Sequence, residues 1–412
     1  MAKWVIFKRA LLIALIALLV LTRITMVPSV KPIEEPYPAN FSASVVIAKK
    51  IMEDVAQGGS SAPVAARLYA YPLLAADLPF RDANFPKSKV NIQAVSLLAG
   101  SYVFKAIHPN PFVKATAETL IRKGELMLSS ADYKLSTEYA KRYSERVIKL
   151  AENDGYDKSV RSYAPPKNFS KYTWRPNGFD KQAPLESGWG SLKSISSASN
   201  SCVIELPNLK EFDEEVLSMA KVDNSIATSA NVIWWLAGTG TPTPSGQWLN
   251  IAINAIKDYK IAPQEASNIL AEMAVGNFDT SIRIWYYKYK FNIVRPQNLY
   301  NELTGKYFDL YRDTPNHPSY PGGHSGFSAN SGSILIKHIG DKSIKDVLGE
   351  DVLVPKEARV FNSISEAIHL ASQSRIDAKF HYPVDTVAGE KLGRCIAEGI
   401  NIDSIAKEKA LV

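Results

Sequence analysis

The chain has 412 residues, 46% of them hydrophobic and 22% charged, a globular composition that excludes a disordered or fibrous protein and allows a sizeable core. Its formal net charge is +7, but Lys3, Lys8, Arg9 and Arg23 supply four of those charges in an acid-free N-terminus, which leaves only +3 beyond residue 30. That is too little for a nucleic-acid surface, so small-molecule partners are expected and nucleic acid is not.

A basic start precedes the apolar run Ala10–Leu21, whose twelve residues suit an export signal and fall short of the roughly 18–20 needed to span a bilayer. Thr22-Arg23-Ile24-Thr25 offers no A-x-A-like cleavage site. Residues 1–30 are therefore expected to be a signal peptide, or an uncleaved anchor over residues 4–21 that gives the only membrane contact. Either places the protein in the periplasm or outside the cell.

Apolar residues then recur at three-to-four spacing, which predicts helices over Ser44–Ala56, Pro63–Ala76, Val90–Ile107, Ala115–Leu128 and Ser136–Asn153. Residues 154–200 change character: Pro165-Pro166, Pro176-Asn177-Gly178 and Gly188-Trp189-Gly190 mark a long irregular segment. Such a segment is often functional or lies across a neighbouring element. Helices resume over about 209–221, 227–238, 245–259, 263–275 and 278–292. Further helices are expected over Gly323–His338, Ala358–Ser374 and Pro383–Ile400. Strand-period alternation is nearly absent. The expected fold is all-α, two packed helical bundles with long connecting loops: an N-terminal helical region over 31–200 and a C-terminal bundle over 201–412 that carries the functional residues. Cys202 and Cys395 could pair in an oxidising compartment, but two buried small hydrophobes is the simpler expectation.

Three clusters in the last third carry chemistry: Lys288-x6-Arg295-Pro296, then Pro321-Gly322-Gly323-His324, then Ser374-Arg375-x5-His381-x3-Asp385. Lys288 and Arg295, seven apart, are expected on one face of a helix ending near Pro296. Two arginines can clamp anion oxygens through paired N–H donors, and a lysine adds a compact charge. A Gly-Gly turn opening a helix lets the Gly323 amide approach an anion, assisted by the helix dipole. His324 at that helix start should be neutral and able to act as base, then acid. Asp385, one turn after His381, can orient the imidazole. Each cluster alone has a bland alternative: a solvated basic face, a loop histidine, a chance His–Asp spacing. Ten specified positions in order, each filled by chance about once in twenty, make coincidence improbable. Together they describe a site for phosphate or a phosphate-like oxyanion such as vanadate. His108, His338 and His369 lack such company and are expected to be structural, and Trp285 is as readily core as site-lining.

These residues resemble the superfamily of vanadium-dependent haloperoxidases and type-2 phosphatidic acid phosphatases, whose signature is K-x6-R-P, P-S-G-H and S-R-x5-H-x3-D. The likeness spans about 285–385 and extends weakly to Ala65-Ala66-Arg67-Leu68-Tyr69-Ala70, Tyr172-x-Trp174-x-Pro176 and Gly246-Gln247-Trp248, in the manner of the soluble bacterial haloperoxidase-like branch. The resemblance implies that Lys288, Arg295, Arg375 and the Gly323 amide hold oxyanion oxygens, that His381 ligates vanadium, and that His324 is the acid–base group, with Trp285, His317, Gly322 and Ser374 near the site. It implies vanadate as cofactor, with phosphate able to fill the same site, and oxidation of halide by hydrogen peroxide to hypohalous acid. The alternatives it implies are a soluble acid phosphatase with His381 as phosphohistidine nucleophile, or a weakly active oxyanion binder. Gly322 stands where the signature has serine, which removes one contact to the anion, and restoring serine is expected to preserve or raise activity.

Overall fold

Helices form almost wherever the three-to-four apolar spacing occurs. The computed structural model describes residues 41–412 apart from 109–110, 160–162, 165, 168, 176–182, 222–225, 311 and 348–357. The expected leader or anchor and the Pro176-Asn177-Gly178 break lie outside the described residues. In chain order the helices are α1 (Ala43–Gly58), α2 (Ala62–Arg81), α3 (Ile92–Ile107), α4 (Pro111–Glu125), α5 (Tyr133–Glu152), α6 (Leu209–Met219), α7 (Ile226–Trp234) and α8 (Thr243–Asp258). They continue as α9 (Pro263–Phe291), α10 (Pro296–Thr304), α11 (Gly323–Ile339), α12 (Ile364–Asp377), α13 (Pro383–Gly399) and α14 (Ile402–Glu408). The all-α expectation holds. Among the described residues the only sheet pairs β1 (Ile344–Asp346) antiparallel with β2 (Arg359–Phe361), Ile344 opposite Phe361.

Helix α9 is one continuous helix of 29 residues, where the sequence predicted two with a break near Gly276-Asn277. Glycine is present there because a Cβ at Gly276 would stand 2.4 Å from the Asn330 side chain of α11. The position serves a close helix contact, not a turn. Asn330 and Ser331 both donate to Asn277 Oδ1, at 3.0 and 3.2 Å, so Asn277 is satisfied inside the core.

Helices α2 and α9 pack along each other and contribute to apolar clusters on both sides. One cluster takes Tyr71, Leu74, Val275, Phe278 and Trp285 with Tyr143, Trp189, Phe212, Tyr382 and Leu392. The other takes Leu68, Tyr69, Leu270 and Met273 with Ile47, Trp248, Leu335 and Ile368. A helix buried on all sides is the expected shape of a central element: 20 of the 29 residues of α9 are buried, and Asn277, Asp279 and Ser281 among them have hydrogen-bond partners. No helix among the described residues is long and apolar enough to cross a membrane.

The irregular segment lies across α9. Trp189 is buried and donates to Ser281 Oγ at 2.8 Å, and the Leu185 carbonyl accepts from Trp285 and Tyr289. Asp279 of α9, fully buried, accepts from the Ile195 and Ser196 amides and Ser199 Oγ. Cys202 and Cys395 form a disulfide across 193 residues, which corrects the expectation of two unpaired hydrophobes. It ties the end of this segment to α13. Helix α13 meets α11 almost backbone to backbone, since a Cβ at Gly389 would stand 2.2 Å from the Gly322 carbonyl oxygen. Helix α12 starts at Ile364, six residues later than predicted, because β2 and the Ser363 cap occupy the preceding stretch.

Candidate active site

The two cations of the first cluster sit on either side of a chain reversal. Lys288 is in the last turn of α9, which ends at Phe291 with Asn292 left-handed at φ 53° and capping the Lys288 carbonyl. Arg295 is the extended N-cap of α10, as befits a residue before proline. They therefore do not share a helix face, a correction to the sequence expectation. Tertiary folding nonetheless brings them together around one strand of backbone. Lys288 Nζ donates to the Pro318 and Ser319 carbonyls at 2.8 and 2.7 Å, and Arg295 Nε donates to the His317 carbonyl at 3.0 Å.

Arg295 reaches further. Its Nη1 donates to the Phe380 carbonyl at 2.8 Å and lies 3.2 Å from His381 Nε2, and its Nη2 lies 3.0 Å from His317 Nδ1. His381 immediately precedes the N-cap of α13, and Asp385 lies in the first turn. The His381 Nδ1–H donates to Asp385 Oδ2 at 2.8 Å, which fixes the tautomer and leaves the Nε2 lone pair facing Arg295. The same carboxylate oxygen accepts from Ser319 Oγ at 2.5 Å and from the Tyr382 amide at 3.2 Å.

On the facing side, Gly323 opens α11 with His324 next, and the first-turn amides of a helix have no intrahelical acceptor. His324 Nε2 must carry a hydrogen, because it donates to the Leu236 carbonyl at 3.1 Å, and its Nδ1 keeps a lone pair. Arg375, in the last turn of α12, lies 3.5 Å from His324 Nε2 and is braced by Nε donating to Ser374 Oγ at 3.0 Å. Ser374 thus supports the arginine, with its own hydroxyl donated to the Ala371 carbonyl.

His317, Gly323, His324, Arg375 and His381 line one cavity of about 900 Å³. Trp285 lines it too, its ring 5.2 Å from that of His317. Lys288, Arg295 and Asp385 are fully buried just behind this lining. The cavity is far larger than a tetrahedral oxyanion and suits an organic molecule as well. Gly322 does not line it; its amide donates to the Asp385 carbonyl at 2.7 Å and so joins the start of α11, which bears His324, to the first turn of α13, which follows His381.

Burial dominates the electrostatics. It pushes Arg295 down to about 10 and Arg375 down to about 9, both still charged at neutral pH. Burial, with Arg295 second, holds Lys288 well below its ordinary value. Burial and the neighbouring cations hold His317, His324 and His381 well below 6.5, so all three imidazoles are neutral. Burial raises Asp385 to about 6 against the pull of Ser319, Lys288 and Arg295. None of the three cations has a carboxylate within ion-pair distance among the described residues. Unpaired buried charge of one sign is costly, and here it converges on one cavity. An oxyanion of two or more charges is the chemical complement, so these residues fit vanadate or phosphate.

Several participants could not be named from sequence. The Leu236, Pro318 and Phe380 carbonyls act through backbone, which carries no residue signature. Ser319 supports Asp385 from the loop before α11, where a lone serine carries no signature. Glu215 of α6 accepts from the Val384 amide at 3.1 Å, and burial first, Asp385 second, raises its carboxyl to about 7. The other histidines are not part of the cavity lining: His338 bridges Glu265 and Glu272, and His108 lies 3.6 Å from Asp54. His369 is exposed.

Residues 300–402 match the family model described as VCPO second helical-bundle domain. No curated protein matches the chain. Among solved structures, the first bacterial vanadium-dependent iodoperoxidase superposes with a TM-score of 0.76 at 20% identity, covering 89% of this chain and 97% of that one. A holo-type bacterial vanadium-dependent chloroperoxidase superposes with a TM-score of 0.64 at 13% identity, covering 92% of this chain and 95% of that one.

Proposed function

We propose that this chain, which has the fold of the vanadium-dependent haloperoxidases, is an enzyme that oxidises a halide with hydrogen peroxide to hypohalous acid, using vanadate held at His381. The observation that carries the reading is the set of three buried cations, Lys288, Arg295 and Arg375, gathered beside a neutral imidazole whose unprotonated Nε2 faces Arg295 Nη1 at 3.2 Å and would be given to the anion when it binds. When bound, vanadate supplies a Lewis acid toward peroxide.

The protein's own groups would do the rest. Arg295, Arg375 and Lys288 would neutralise the anion oxygens in a site where burial strengthens each contact. The Gly323 amide at the start of α11 would add a donor. Asp385 holds His381 in the Nδ1–H tautomer, so the lone pair stays on Nε2 throughout. His324, tied at Nε2 to the Leu236 carbonyl, offers Nδ1 to take a proton from peroxide and return it to the departing oxygen. His317, tilted against Trp285 and hydrogen-bonded to Arg295, would fix the arginine and screen the cavity wall. The Cys202–Cys395 disulfide suits export to an oxidising compartment, in keeping with the leader read from residues 1–30.

A paired assay on purified protein tests this. One arm contains orthovanadate, bromide or iodide, hydrogen peroxide and a halogen-accepting dye; the other contains a chromogenic phosphate ester without vanadate. Vanadate-dependent halogenation that phosphate competes away is expected, and His381→Ala should abolish it. Ester hydrolysis that vanadate inhibits, without halogenation, would replace the reading with a phosphatase using His381 as nucleophile.

A further inference from the structure

Ser325 follows His324 in the first turn of α11, and its hydroxyl takes part in nothing described so far. The residue is 0% exposed, and its Oγ has no hydrogen-bond partner among the described residues. Several helix serines satisfy themselves on the preceding turn: Ser101 on the Leu97 carbonyl, Ser281 on Phe278 and Ser374 on Ala371, each at 2.6 Å. Ser325 does not. Ser136 and Ser245 are buried and unpartnered as well, but neither stands on the turns that carry His324 and Asp385. A buried hydroxyl without a partner costs the fold stability, so its presence calls for a partner of another kind.

Its position says which. A Cβ placed on Gly322 would stand 3.2 Å from Ser325 Oγ and 3.0 Å from the Asp385 carbonyl oxygen. The hydroxyl therefore lies at the turn that opens α11, on the side facing the first turn of α13. One of these turns carries His324 and Gly323; the other carries Asp385, which holds His381. The hydroxyl occupies space that a side chain at position 322 would otherwise use. Like Lys288 and Arg295, Ser325 is fully buried and lies behind the cavity lining, not in it.

We propose that Ser325 Oγ donates a hydrogen bond to the bound oxyanion, supplying the hydroxyl contact that the glycine at 322 cannot make. The assignment rests on the oxyanion-site reading above. It makes Ser325 an anion-binding residue, and it predicts opposite effects of losing the hydroxyl on the protein alone and on its complex.

The experiment measures phosphate and orthovanadate binding by titration calorimetry, and melting without anion, for wild type and Ser325→Ala. Binding should weaken roughly 10- to 100-fold, as expected for one hydrogen bond to a charged acceptor. Melting without anion should be unchanged or raised, since an unsatisfied buried hydroxyl is removed. Equal binding by the two proteins would overturn the assignment. A melting temperature several degrees lower without anion would also overturn it, by showing a structural hydroxyl. A wild type that binds neither anion would instead overturn the oxyanion-site reading, and the assignment with it.

Discussion

Replacing Arg375 by methionine separates a residue that holds an anion from one that holds the fold. Arg375 is 2% exposed, and its polar neighbours are Ser374 Oγ at 3.0 Å, the Val232 carbonyl at 3.4 Å and His324 Nε2 at 3.5 Å. Burial lowers its pKa from 12.5 to about 9, with Asp377 pulling weakly the other way. That fall corresponds to roughly 5 kcal/mol to keep the guanidinium charged in the protein alone. Methionine has similar length and no charge, so the substitution removes this cost. It also removes the two hydrogen bonds, each about 1.5–3 kcal/mol for a charged donor. The opposing effects nearly cancel, and Arg375→Met should lie within about 2 kcal/mol of wild type, a few degrees in melting temperature. The response to anion should differ sharply. Wild type at a thousandfold excess of anion over its dissociation constant gains about 4 kcal/mol by mass action, and the variant should gain almost none. Melting with and without orthovanadate or phosphate reads both quantities. A variant that melts far below wild type yet keeps the anion-induced rise would refute the reasoning, because Arg375 would then be structural.

Two further outcomes are expected. Gly322→Ser should lower the halogenation rate, contrary to the expectation from sequence, because its Cβ would meet the Asp385 carbonyl at 3.0 Å and crowding of this kind costs about 1–3 kcal/mol; a raised rate would show that the turn yields. Oxyanion binding should take up protons, because an anion beside Lys288 restores the ammonium that burial and Arg295 depress. Affinity should then fall as pH rises, and calorimetry in two buffers of different ionisation enthalpy should show the uptake; its persistence in Lys288→Met would assign it to the depressed imidazoles and not to Lys288.

What the sequence made legible is what side chains of rare type encode at short spacing. Lys288, Arg295, His324, Arg375, His381 and Asp385 were nameable because each is a distinctive residue in a fixed local pattern, and the fold brings them to one place. The geometry that joins them was less legible. The left-handed turn at Asn292 separates Lys288 from Arg295, and nothing in an amphipathic count distinguishes it from one more helical turn. Gly276 looked like a helix break because its real constraint, the Asn330 side chain, lies 54 residues away in sequence. The disulfide and the Glu215–Val384 contact are likewise products of distant packing. Ser325 shows the converse case: an ordinary residue type whose significance emerges only once its hydroxyl is seen to be buried and unpartnered.

The placement of the cations on the helices explains how such a site is tolerated. Lys288 lies in the last turn of α9 and Arg375 in the last turn of α12, where the negative end of each helix dipole favours a positive charge. That effect is about 0.3–1 kcal/mol at exposed sites and up to about 2 kcal/mol when partly buried, well short of the roughly 5 kcal/mol that burial imposes on Arg375. Asp385 offsets part of the remainder for Lys288 and Arg295, whose pKa values it raises, but it is not among the groups acting on Arg375. Meanwhile α11 and α13 both direct their N-termini at the same region, Gly323 from one and the His381–Asp385 turn from the other, and so add partial positive charge. The helices thus lower the cost of Lys288 and Arg375, though not of Arg295 at the N-cap of α10, while raising the collective positive potential. A bound oxyanion would relieve that excess, so the affinity proposed for the site and its burden on the fold would have the same origin.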